Sequence, residues 1–277
     1  MTKSPTIHPN IIVTRPIGQA RHLIEVLQRQ IAGLNTPVQI INLPLLTIVP
    51  KEDESTFKDL TKILPAVDLV VFVSPNAVEC TMRLLGDFHQ TWNGLAKRSL
   101  QIGVMGGSSK EALLRHGIAD QNIILPPDSA RWDSEGLWGQ LQNFHSDWHG
   151  KSVLFLKGEG GREWLADTMS SAGVAVSAIS VYARMPLNDL SPAWRQLDQA
   201  PDTDSIWVLT SSEAVRYLAA SIAQGVWRNV SNLRNSSALC SHPNIARAAH
   251  EAGFGEVMQC SPGDEAIAQA LLTWLPK

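Results

Sequence analysis

Six short turns carry the residues with usable chemistry. They are Arg15, Ser74-Pro75-Asn76, Gly106-Gly107-Ser108-Ser109, Lys157-Gly158, Thr210-Ser211-Ser212 and Ser241-His242. Each follows an apolar run and precedes a stretch with helical spacing. A helix start exposes backbone N–H groups that lack intrahelical partners, and a neighbouring Ser, Thr or Asn adds a further polar group. One exposed start attracts an anion by about 0.3–1 kcal/mol, so several converging starts hold a polyanion without a basic surface. Arg15 and Lys157 follow equivalent strands and place a cation beside a helix start. Any one of these Ser, Thr or Asn residues is first of all a helix cap; their recurrence at equivalent turns points to a ligand. His242 alone also reads as a solvated loop histidine. Tyr182 is one of only two tyrosines. A phenol holds its proton at neutral pH and can act as a general acid; the competing reading is a tyrosine packed at a connector.

Other chemistries lack their residues. The stretch Lys157-Gly-Glu-Gly-Gly-Arg162 has no Gly-Lys-Ser/Thr for a phosphate loop, and Gly103-Val-Met-Gly106-Gly107 does not complete a dinucleotide fingerprint. There is no HExxH, no clustered Cys/His spacing and no Gly-x-Ser-x-Gly. No metal site is expected. Cys80, Cys240 and Cys260 are an odd number without ligand spacing and read as plain thiols.

The elements that must position these turns come twice. Residues 68–78 read DLVVFVSPNAV and residues 204–215 read DSIWVLTSSEAV, 136 positions apart by their first residues (68 and 204). Residues 13–18 resemble 155–160, and the helix ending at Gly117 resembles the one ending at Gly253. That offset exceeds any solenoid period and indicates a duplicated α/β half: two lobes with a cleft between them. Strands are expected at 10–14, 38–43, 68–73, 100–105, 123–125, 152–156, 174–182, 205–209, 237–240 and 256–260. Helices are expected at 19–31, 76–85, 134–144 (capped by Ser134), 162–171, 192–197, 212–224, 243–252 and 264–275, with another ending at 115. The alternation, with continuous apolar strands, predicts five-stranded parallel sheets covered on both faces. In such sheets ligands bind beyond the carboxyl ends of the strands, where the six turns fall. The proline-bounded segments 44–50 and 180–186 hold equivalent places. Either each copy closes on itself, or the first strand–helix–strand joins the C-terminal half and the two segments become interdomain crossings.

Composition narrows the partners. The 277 residues suit two domains, and a hydrophobic content of 44% fills two cores. A net charge of −3 gives no global basic field and argues against nucleic acid or anionic membrane as partner. The N-terminal MTKSPTIHP is too polar for a secretory signal, and no apolar run approaches membrane-spanning length; a cytoplasmic protein is expected. Of nine tryptophans, Trp138, Trp164, Trp194 and Trp274 sit at helical positions and are expected to anchor helix faces.

Taken together, six segments resemble the uroporphyrinogen-III synthase family: Val13-Thr-Arg-Pro16, the run 68–78, Asp133-Ser-Glu-Gly-Leu137, Lys157-Gly-Glu-Gly-Gly-Arg-Glu163, Val181-Tyr-Ala-Arg184 and Ser241-His-Pro-Asn-Ile-Ala246. The likeness spans the whole chain. Departures are Lys157 and Asn244, where the family often has Arg, and Met105-Gly-Gly-Ser-Ser-Lys110, where Lys110 replaces a small alanine. The resemblance implies two α/β domains joined by a two-stranded connector and selects the exchanged arrangement. Residues 1–43 plus 187–277 form one domain, 51–180 the inserted one, and 44–50 and 181–186 the connectors. It implies closure of hydroxymethylbilane, with inversion of ring D, to uroporphyrinogen III and water, by a monomer with no cofactor. Tyr182 is then the expected proton donor. Arg15, Ser74, Asn76, Ser108, Ser109, Lys157, Gly158, Thr210, Ser211, Ser241 and His242 are the expected substrate contacts. A non-catalytic two-lobed binder of a polyanionic small molecule is the alternative.

Overall fold

Strands with continuous apolar runs require cover on both faces, and the central strands of both sheets are of this kind: IIV in β1, IWVL in β9, LVVF in β4 and VLFL in β7. The computed structural model describes residues 9–34, 37–86, 92, 94, 95, 100–128, 131–200, 204–227 and 233–275; parts of the expected 126–133 loop and of the polar stretch before 204 lie outside them. The chain divides into two units, Met1–Thr47 with Met185–Lys277, and Ile48–Arg184.

The first unit holds β1 (Asn10–Val13), β2 (Gln39–Asn42), β9 (Ser205–Leu209), β10 (Ser237–Cys240) and β11 (Glu256–Gln259). They form a five-stranded sheet in the order β11-β10-β9-β1-β2, with every neighbouring pair parallel. Ile11, Val13, Ile206, Val208 and Leu239 face one way, as period-two alternation requires. They meet Leu23, Leu27, Ile267 and Leu271 of helices α1 (Ile17–Ile31) and α10 (Asp264–Trp274). Trp207 contacts Trp227 and Phe254, each with ring centres 5.6 Å apart. Helices α7 (Pro192–Asp198), α8 (Ser212–Ala223) and α9 (Pro243–Ala252) complete the unit's described helices.

The second unit holds β4 (Leu69–Phe72), β5 (Gln101–Val104), β6 (Ile123–Ile124), β7 (Ser152–Gly158) and β8 (Ala175–Pro186), and β3 (Leu46–Pro50) lies at its edge. The order is β3-β8-β7-β4-β5-β6, and the pairs from β8 to β6 are parallel. The expected two-stranded connector adds a sixth strand to the expected five: the proline-bounded segment pairs with the extended end of β8, and Lys51 N donates to Val181 O at 2.9 Å. Val70, Phe72, Leu154 and Leu156 face one core, and Leu69, Val71, Val153 and Phe155 the other. Helices α2 (Glu54–Ile63), α3 (Pro75–Leu85), α4 (Gly107–Arg115), α5 (Ser134–Phe144) and α6 (Trp164–Ser171) flank the sheet. The expected tryptophan anchors lie where expected: Trp138 and Trp164 pack on the Leu137/Leu165 core, Trp274 on the Leu271 core, and Trp194 is buried.

Four expectations shift. Helix α2 was not anticipated; Asp53 caps it, accepting from Thr56 N at 2.8 Å, and hydrogen bonds from Ser55 and Thr56 hold the carboxyl well below its usual range. Helix α5 is capped by Asp133, which accepts from Gly136 N at 2.6 Å, and not by Ser134, its first residue. Helix α6 begins at Trp164, since Gly160 (φ 65°) and Gly161 (φ 99°) turn the chain first. Strand β7 runs through Lys157 to Gly158. Among the described residues no helix is long and apolar enough to cross a membrane. Burial pushes the Cys80 thiol up to about 11 and Cys240 up to about 12, consistent with inert thiols.

Candidate active site

Parallel strands end together, so the candidate turns of each unit gather at one sheet edge. In the first unit Arg15, Thr210-Ser211 and Ser241-His242 follow the adjacent strands β1, β9 and β10. Thr14 is buried and donates its hydroxyl to Val208 O at 2.6 Å, pinning the start of the first turn. Arg15 pairs with Asp264 at the start of α10, which His22 also contacts at 2.7 Å. Ser211 caps α8, accepting from Ala214 N at 3.3 Å. His242 caps α9: its Nδ1 accepts from Asn244 N at 3.1 Å, and the ring is exposed. Here the capping reading holds for Ser211, His242 is a helix cap where a solvated loop histidine was the plain expectation, and Arg15 already has a carboxylate.

The second unit encloses a cavity of about 260 Å³, lined among others by Ser74, Met105, Ser134, Lys157, Gly158, Arg162, Glu163, Tyr182 and Arg184. Ser74 caps α3, accepting from Ala77 N at 3.1 Å, and its hydroxyl meets Tyr182 Oη at 3.0 Å. Tyr182 reaches the cavity through an irregularity in the β7–β8 ladder. Lys157 pairs with Ser180, but Gly158 pairs with Tyr182, so Val181 is skipped. Such a bulge re-aims the side chains that follow it. The phenol then lies on Gly158, where a Cβ would stand 2.6 Å from ring atoms Cε2 and Cζ. Gly158 is therefore the space that admits Tyr182.

Two further cations line the cavity, each with a carboxylate beside it. Lys157, with 14% of its side chain exposed, pairs with Glu163. Arg162 pairs with Glu135, in the first turn of α5. The hydrogen bond from Arg162 holds the Glu135 carboxyl below its ordinary range. Sequence reasoning missed Ser134, Arg162, Glu163 and Arg184 as lining residues, although all four lie inside the segments that carried the resemblance. The β5 turn is not drawn in as expected. Ser109 is buried against the core side of α4 and Ser108 is exposed, so Met105 represents that turn in the cavity. Trp132 covers the turn instead: a Cβ on Gly107 would stand 2.6 Å from its Cη2. Asn76 is half-buried in the first turn of α3.

The fold puts the chain in the class of two-unit parallel α/β proteins whose polar turns gather at the carboxyl ends of the strands. The family model for uroporphyrinogen-III synthase HemD matches residues 27–269. The chain belongs to the uroporphyrinogen-III synthase family. It is 27% identical over 266 residues to uroporphyrinogen-III synthase of Escherichia coli (strain K12), covering 95% of this chain and 99% of the relative. It is 28% identical over 269 residues to that of Salmonella typhimurium, with the same coverage. Solved structures of a mutant synthase from the extremely thermophilic bacterium Thermus thermophilus (TM-score 0.56, 14% identity, 96% of each chain) and of the Helicobacter pylori synthetase (0.54, 15%, 96% of this chain and 100% of that one) share the fold.

Proposed function

We propose that the chain acts as a uroporphyrinogen-III synthase, a cyclising hydro-lyase that closes linear hydroxymethylbilane with inversion of ring D and releases water. The observation that carries this reading, beside family membership, is the Tyr182 phenol at the cavity wall, bonded to Ser74 with Lys157 and Arg162 lining the same space. The substrate's acetate and propionate groups suit those cations and the capped helix starts. Arg15, Asn76, Ser108, Thr210, Ser211, Ser241 and His242 are the further candidate contacts, with Gly158 contributing space. The protein works as a monomer on this small molecule and needs no metal or organic cofactor.

In the proposed step the phenol of Tyr182 gives its proton to the hydroxyl of the substrate's hydroxymethyl group. The carbon–oxygen bond breaks, its electron pair leaves with the oxygen as water, and the pyrrole nitrogen's electrons supply the azafulvene. The phenolate recovers a proton that the pyrroles release on ring closure, so the net loss is one water. Uncatalysed closure gives the type I isomer, so the protein's main contribution is orientation of the chain ends; well-oriented systems gain up to about 7–11 kcal/mol from this. Tyr182→Phe is expected to lower the rate of type III formation about 100-fold, the scale of one positioned proton donor. A variant that keeps the full rate removes the assignment.

A further inference from the structure

A third cation of the cavity, Arg184, stands against the phenol itself. Its Nη1 donates to Tyr182 Oη at 3.4 Å, and its Nη2 donates to the backbone oxygen of Glu159 at 2.8 Å. The guanidinium carbon lies 5.8 Å from the centre of the tyrosine ring. Glu159 N donates to Tyr182 O at 2.9 Å, and the Glu159 carboxylate pairs with Lys51 at 2.6 Å. One backbone residue thus ties the arginine to the tyrosine. The two side chains are two positions apart on β8, beyond the bulge, and so share a face. Both close on Gly158, where a Cβ would stand 2.9 Å from Arg184 Nη1 as well as against the ring.

The hydrogen inventory sets the direction of the contact. A guanidinium has five donors and no acceptor, and a phenol has one hydrogen. Arg184 therefore gives to Oη and the phenol's own hydrogen points away from the guanidinium; the bond to Ser74 Oγ can run in either direction, and a substrate oxygen in the cavity can take the phenol's hydrogen. Ser74 Oγ already accepts from Ala77 N, which holds that oxygen in place and leaves its own hydrogen able to turn. When the proton leaves, negative charge appears on Oη beside a guanidinium that stays charged at every working pH. Charge of this kind, aimed in advance at an atom that becomes negative, lowers the barrier without reorganisation.

We propose that Arg184 is the positioning residue of Tyr182: it turns the phenol hydrogen toward the cavity and stands beside the phenolate formed when that hydrogen is given away. The proposal rests on Tyr182 being the proton donor. The competing role for Arg184, a direct grip on a substrate carboxylate, makes opposite kinetic predictions.

A double-mutant cycle with hydroxymethylbilane, reading type III product, separates them. Arg184→Gln is expected to lower kcat about 10- to 100-fold and leave KM within about twofold, because the lost interaction exists only as the proton moves. Arg184→Lys, which keeps the charge but not the fork, recovers part of the rate and keeps the test open if Arg184→Gln folds poorly. In a Tyr182→Phe background Arg184→Gln should cost nothing further. Losses that multiply, or a loss falling on KM, overturn the proposal and leave Tyr182 as donor. A Tyr182→Phe variant at full rate overturns both. Far-UV spectra and melting temperatures of the four variants and the parent show that each reading comes from folded enzyme.

Discussion

Gly158 looks in sequence like an amide donor to an anion, the usual reason for a glycine after a strand. In the fold it is the last residue of β7, and its missing side chain is the room that Tyr182 and Arg184 occupy. Gly158→Ala forces ring or strand to move, which costs about 1–3 kcal/mol in a packed site. The variant is expected to lose that much stability by urea unfolding, together with most of its activity; parental values of both would place Tyr182 elsewhere. Much of the residue chemistry was legible because polar residues at strand ends are conspicuous: Ser74, Lys157 and Tyr182 meet at one cavity. Arg162, Glu163 and Arg184 were not. Their importance comes from a turn of two positive-φ glycines and a skipped residue in a ladder, and neither alters the hydrophobic pattern from which strands are read.

At the scale of elements, one ion pair joins the start of α5 to the turn before α6: Glu135 to Arg162. The Glu135 carboxyl sits below its ordinary value of 4.5 because Arg162 donates to it. A carboxylate lowered in the folded state contributes stability above the unfolded value and loses it as the pH falls through the folded one. Glu135→Gln should therefore be less stable than the parent by a constant margin between about pH 6 and 8, narrowing below about pH 4. Urea midpoints across that range check this, and a margin unchanged at about pH 3 would contradict it. Element boundaries were less legible than element types. Helix α2 escaped because only Thr56 and Leu60 of its residues are buried, too few to mark an apolar stripe. Strand β7 was cut short at Leu156 because Lys157 reads as the end of an apolar run, although the ladder to β8 continues past it.

At the scale of the whole molecule, two units with parallel sheets were legible from the repeated segments and from the continuous apolar runs of most strands. The pairing of β3 with the end of β8 matches the two-stranded connector expected from the proline-bounded segments, but that it adds a sixth strand to the second sheet was not legible. The assignment of the turns reduces to chemistry on one substrate. Incubating the purified protein with freshly prepared hydroxymethylbilane, oxidising the products and separating the porphyrin isomers by chromatography tests that assignment most directly. Type III is expected as the dominant isomer, formed catalytically at rates far above spontaneous closure. Only type I, at the rate seen without protein, would contradict it.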